Sequence, residues 1–312
     1  MNAITQQSAT SGQIKQINRF ASDAIEKVLA ELGLDNPGAQ RVIEHGDDFA
    51  EAIRTAAITS LKDLSVTDKF KNEEVKSSYT YPKEYKGPKP INDQIKAIAK
   101  IFGLDPSHAL EFAKNLPALK SFVPACALKW TGWFAIPSVD ALAAKHFLDV
   151  TDPAQKNCQA VQLVNAKIAA SRPFYNYREG QLTPAQLRVH ARTAHALDLI
   201  AEKQKGDILI VAAQLGMRHR GKSVRRAREV FTANEFGLES LAVGSIVLTH
   251  PERLVRWEEL DMHCSGDEFS GVGGDFSGSP CFLFLDGYVG FDTSFVDRPH
   301  DSFGSVSAFL SQ

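Results

Sequence analysis

The sequence predicts an α+β fold, mainly helical, closed by a small C-terminal antiparallel β-hairpin sheet. Three observations carry that expectation. Apolar residues recur every three or four positions from Ile14 onward, the spacing of a buried helix face. After Leu260 the pattern becomes an alternation, with Leu260, Met262 and Cys264 set against Asp261, His263 and Ser265. Asp286-Gly287 then stands between two apolar runs, the chemistry of a two-residue type I′ turn. The expected organisation is an N-terminal helical subdomain over 1–65, a linker containing Pro and Tyr over 66–90, and a main α+β domain over 91–312.

Taken in order, residues 1–12 are polar and expected to fray. Ile14, Ile17, Phe20, Ala24, Val28 and Leu32 then mark one helix, with Gly33 in the position of a C-terminal cap. Asp35 before Asn36-Pro37 opens a second helix, and Phe49, Ile53, Ala57 and Leu61 mark a third. The stretch 62–90 mixes charges with Pro82, Pro88 and Pro90, which disfavour helix. Its tyrosines, Tyr79, Tyr81 and Tyr85, are expected to pin an extended segment onto a neighbouring domain. Helices follow around Ile95–Phe102 and after Asp105-Pro106. The aromatic and β-branched run 128–137 reads as a strand, and further helices follow Ser138, Asp152-Pro153 and Thr183-Pro184. His190 and His195, five apart on the last of these, do not share a helix face and are expected to be ordinary surface or half-buried histidines.

The stretch 206–231 organises the rest. The run Ile208–Leu215 fits either a helix or a buried strand, and Ala212, Ala213 and Gly216 favour a helix ending in a glycine turn. Arg218, Arg220, Lys222, Arg225, Arg226 and Arg228 follow with no acid among them. Ser223 caps a short helix whose apolar face is Val224, Ala227, Val230 and Phe231 and whose other face carries the arginines. Helix, turn and basic helix resemble a helix-turn-helix unit, although the loop MRHRGKS is longer than that unit uses. Arginine suits such a surface because its planar fork grips phosphate or guanine bidentately.

Composition bounds what this segment can serve. Hydrophobic content of 44% and charged content of 23% describe a globular chain, and the net charge of −2 makes attraction to a polyanion a local matter. Cys126, Cys158, Cys264 and Cys281 are widely spaced, with no C-x-x-C pair, so reduced thiols and a cytoplasmic location are expected. No apolar run approaches the ~20 residues that span a bilayer, and the first residues do not read as a secretory signal, so no membrane partner is expected. There is no P-loop, G-x-G-x-x-G, G-x-S-x-G or H-E-x-x-H spacing. The acids and histidine in the C-terminal third, Asp261, His263, Asp267, Glu268 and Asp275, are the one group with metal-ligand chemistry.

The strings YTYP (79–82), GWFAIPSVDA (132–141), FYNYREG (174–180), GMRHRGKSVRRAR (216–228), NEFGL (234–238), LTHPERLVRWEEL (248–260) and CSGDEF (264–269) carry a resemblance. From about Tyr79 to the end, the chain resembles a family of uncharacterised proteins of ultrasmall candidate-phylum bacteria and related metagenomic sequences. The resemblance implies no activity and transfers no catalytic residue.

The leading expectation is a non-enzymatic, cofactor-free bacterial protein. It binds nucleic acid, DNA or RNA, through Arg218, Arg220, Lys222, Arg225, Arg226 and Arg228. One alternative is a metal-dependent hydrolase using Asp261, His263, Asp267 and Glu268. Another is a structural or assembly protein whose arginines are paired with neighbouring acids.

Overall fold

The computed structural model describes residues 11–33, 35–53, 68–271 and 274–311. The chain forms two units, Met1–Leu61 and Lys62–Gln312. In the first, a helix runs over Ser11–Leu32 and Gly33 follows it with φ 55°. Asp35 caps the next helix, Asn36–Glu44, by accepting the Gly38 N–H at 2.7 Å. Residues 46–53 are helical as well, while Ala57 and Leu61 lie outside the described residues, as do 1–10.

The second unit corrects the expected fold class. Its centre is a mixed sheet of ten strands rather than a small C-terminal hairpin, so the unit is α+β without being mainly helical. The strands are β1 (Thr131–Pro137), β2 (Phe174–Asn176), β3 (Leu187–Val189), β4 (Ile208–Arg220), β5 (Glu235–Gly237), β6 (Asp261–His263), β7 (Asp267–Phe269), β8 (Gly278–Leu285), β9 (Tyr288–Phe295) and β10 (Phe303–Phe309). The main path runs β1-β4-β10-β6-β8-β7-β3. Off it, β5 pairs with β10, and β9 with β8 and β2. Pairing is antiparallel except for β10 with β6 and β2 with β9, which are parallel.

The strand β4 is where the helical expectation fails. Its first ten residues are all buried, with Gln214 the one polar side chain among them, so it shows none of the alternation that marks a half-exposed strand. β1 covers one edge, from Thr131 opposite Gln214 to Pro137 opposite Ile208, and β10 covers the other. Gly216 is not a helix cap. With φ 110° it lies at a register shift between β4 and β10, and a Cβ there would stand 3.0 Å from the Gly304 carbonyl oxygen. The expected start of a helix at Thr183-Pro184 is likewise displaced. β3 comes first, and the helix runs over Ala191–Gln204.

Helices Ile91–Phe102, Pro153–Ser171 and Ser240–Thr249 pack with the sheet around one core. Ile95, Ile98, Phe134, Ile136, Val161, Val164, Ile168, Leu241, Ile246, Phe282 and Phe291 are all buried in it. The β8–β9 hairpin turns through Asp286 and Gly287, both at positive φ, which is the backbone a type I′ turn requires. Among the described residues no helix is long and apolar enough to cross a membrane.

Residues 68–90 run along this unit and are bonded into it. The Val75 N–H donates to the Gly221 carbonyl at 2.8 Å, and the Ser223 N–H donates to the Glu73 carbonyl at 3.0 Å. Further on, the Leu260 N–H donates to the Thr80 carbonyl and the Lys89 N–H donates to His250 Nε2. The Tyr81 ring packs edge-on against Tyr85 and Trp130, and its hydroxyl accepts the Leu215 N–H at 3.0 Å. Gly221, at φ 73°, lies so close under this strap that a Cβ would fall 2.2 Å from the Val75 carbonyl oxygen.

Candidate anion-binding groove

The basic segment spans two elements, the end of β4 and the helix Val224–Glu229. It is a strand, a turn and a short helix, not two helices. Ser223 caps the helix, its hydroxyl accepting the Arg226 N–H at 3.1 Å and donating to Glu73 at 2.7 Å.

Four of the six cations are tied to carboxylates. Arg218 Nε bonds both oxygens of Glu235 at 3.1 Å, and His219 Nε2 meets the same carboxylate at 2.7 Å. Ser307 Oγ adds a bond at 2.6 Å. Glu235 is wholly buried, and burial alone would raise its pKa. His219, Arg218 and Ser307 outweigh that and hold it at about 2. Lys222 Nζ lies 2.6 Å from Glu74 Oε2. Arg226 reaches Glu74, Glu229 and Asp68 at 2.5, 2.8 and 2.9 Å. Arg225 Nε bonds both oxygens of Glu73, at 2.9 and 2.8 Å, which lowers that carboxyl's pKa and raises the guanidinium's. Asp68, Glu73 and Glu74 all lie on the strap. The charge block is therefore in large part an internal docking surface for that strap.

The remaining two differ. Arg220 donates to the Tyr79 carbonyl at 2.9 Å. Arg228 donates from Nε to the Ser265 carbonyl at 2.9 Å and from a terminal nitrogen to the Asp267 carbonyl at 2.7 Å. Its carboxylate neighbour, Glu268, stands at 3.8 Å. Burial lowers the Arg228 pKa, with Glu268 and Asp267 opposing. A guanidinium served by neutral carbonyls in a largely dry place is a strong donor with charge to spare.

Arg228 and Arg225 open onto a groove of about 400 Å³. Lys69, His190 and Arg192 line it too, with Phe70 and Phe231 as walls and Glu229 as the one acid. Of the Lys, Arg, Asp and Glu side chains that line it, four are cationic and one is acidic. The His190 pKa is lowered first by burial, then by Arg228, with Arg192 and Arg188 adding to it and Glu268 resisting. The phenyl ring of Phe70 carries the Arg225 guanidinium at 4.4 Å from its centroid, which fixes that side chain's direction.

Sequence reasoning placed Arg225 and Arg228 here and missed Lys69, His190 and Arg192. Their local spacing gave no signal: Arg188 is in β3, His190 caps the helix that follows and Arg192 lies in that helix, so no single period relates them.

The five C-terminal candidates do not assemble into a centre. Asp261 accepts the Phe284 N–H at 3.1 Å, and burial pushes it up to about 7. His263 bonds Ser294 Oγ at 2.8 Å, stacks on Phe303, and is driven down to about 3 by burial. Asp267 accepts the Ser240 N–H at 2.7 Å, and Glu268 pairs with Arg188 at 2.8 Å. Asp275 lies in the loop before β8. Among the described residues, no group of three or more His, Cys, Asp or Glu side chains is placed to hold a metal ion.

Compared with protein-family models, with curated proteins and with solved structures, the chain matches none.

Proposed function

We propose that this protein binds a phosphate-bearing ligand in the groove of Lys69, His190, Arg192, Arg225 and Arg228. The observation that carries the reading is Arg228, a mostly buried guanidinium held by two backbone carbonyls and with its carboxylate at 3.8 Å. A phosphate oxygen is the partner such a fork fits, and the low local dielectric strengthens the bond. This narrows the expected nucleic-acid interface. Arg218, Lys222 and Arg226 serve the fold through Glu235, Glu74, Glu229 and Asp68 and are not counted among the ligand contacts, whereas Arg225 lines the groove while also bonded to Glu73.

The ligand's phosphate can belong to a free nucleotide or to a nucleic-acid strand. Titration calorimetry with pyrophosphate, a nucleoside triphosphate and a single-stranded oligonucleotide separates the two. Pyrophosphate should bind at low salt, and Lys69→Ala and Arg228→Gln should each weaken it ~10-fold or more. For an oligonucleotide held through two or three groove cations, log K should fall with log salt at a slope of about −2. A slope near −4 would restore the six-cation surface in place of the groove. No phosphate binding at ~50 mM salt, or binding indifferent to both substitutions, ends the proposal.

A further inference from the structure

A second cavity, of about 200 Å³, opens between the helices Pro153–Ser171 and Ala191–Gln204. Ile136, Val189, Leu197 and Leu209 are among its apolar walls. Among its polar lining side chains are Asn157 and Glu239. Both are more than nine-tenths buried, with exposures of 5% and 2%. Among the described residues, the Asn157 amide oxygen and nitrogen have no hydrogen-bond partner, and neither does Glu239 Oε2. Glu239 Oε1 is occupied, because it accepts the Ala242 N–H at 3.1 Å and caps the helix Ser240–Thr249.

Buried polar atoms left without partners are destabilising and uncommon, so three of them on one small cavity call for an occupant. Together they offer donors and acceptors side by side. The apolar walls call for a flat or aliphatic body behind that polar edge. Charge narrows the class further. Lys156, the one lysine or arginine of the lining, is tied to Asp140 at 2.8 Å, and Asp198 adds a carboxylate, so the lining offers an anion no unpaired cation.

We propose that this cavity binds a small uncharged aromatic molecule carrying adjacent hydrogen-bond donor and acceptor groups, a ring carboxamide being the simplest case. Asn157 would pair with the carboxamide through both its amide atoms, and the protonated Oε2 of Glu239 would donate to the carboxamide oxygen. Burial, and after it the charge of Asp267, pushes Glu239 up to about 8, so a neutral carboxyl faces the cavity at neutral pH. An uncharged ligand then meets an uncharged floor.

Benzamide, benzamidine and benzoate share one shape and differ in charge, so they test the assignment on the full chain by ligand-observed NMR. Benzamide should bind saturably at roughly millimolar concentration, and the two charged analogues at least ~5-fold more weakly. Asn157→Leu, which keeps the volume, should weaken benzamide ~10-fold without lowering the melting midpoint. Glu239→Gln keeps a neutral hydrogen-bonding end and should hold the affinity within about 3-fold. Tighter benzamidine would make this a cation site, and tighter benzoate an anion site. Either result overturns the proposal, as does unaltered benzamide binding in Asn157→Leu or no saturable binding at all, which would leave the cavity to solvent. If Asn157→Leu does not fold, the Asn157 side-chain resonances of the unsubstituted protein replace it. Their movement on adding benzamide supports the site, and their stillness refutes it.

Discussion

Glu235 shows how a single residue can be both necessary and unreadable in advance. It sits in NEFGL as an ordinary acid, yet it is wholly buried and serves Arg218, His219 and Ser307 at once. Replacing it by Ala leaves a guanidinium with no carboxylate and should lower stability by ~3–5 kcal/mol, measured by denaturant unfolding at neutral pH. Its depressed pKa gives a sign as well. The stability it contributes is present above about 4.5 and is lost as pH falls toward about 2. Glu239 behaves oppositely. Its folded form keeps a proton that the unfolded chain releases, so its contribution is present below about 4.5 and is lost as pH rises to about 8. The difference between the unsubstituted protein and Glu239→Gln should therefore fall across that window, by at most ~1.4 kcal/mol per pH unit. Arg225 and Arg228 were legible because they lie within one charged run. Lys69 and His190 were not, since only the fold brings them beside those arginines from distant parts of the chain.

At the scale of elements, periodicity works where one face meets water. The helix Ile91–Phe102 buries Gln94, Ile95, Ile98 and Phe102, and its spacing announced it. β8 and β9 were announced by the Asp-Gly turn between them. β4 was hidden because neighbours on both edges and layers on both faces leave it no exposed residues to alternate. β6 lies inside the alternation that begins at Leu260, whereas the other strands of three residues, β2, β3, β5 and β7, are shorter than any window in which a period can be counted. The strap over 68–90 is held by main-chain bonds and by acids, so its fit depends on the bare backbone at Gly221. Gly221→Ala places a Cβ against the Val75 carbonyl at a left-handed φ and should cost about 1–3 kcal/mol. Faster proteolytic cleavage within 68–90, at unchanged far-UV circular dichroism, would locate the damage in the strap.

At the scale of the molecule, Lys62–Gln312 carries its own sheet, its own helices and its own main core. A chain starting at Lys62 should fold without the first unit. Its melting midpoint should lie within about 2–4 °C of the full chain's main transition, the shift that ~1 kcal/mol produces at this size. The ten-strand sheet also has an order in time. β10 lies in its interior, hydrogen-bonded to β4, β5 and β6, although it is the last strand in the sequence. On a ribosome adding ~5–20 residues per second, the β4 edge emerges several seconds before the strand that covers it. During that interval an apolar ribbon with unpaired amides is open to any passing strand. Correct assembly in the cell then depends on keeping nascent chains apart, and yield should fall with faster expression before it falls with temperature.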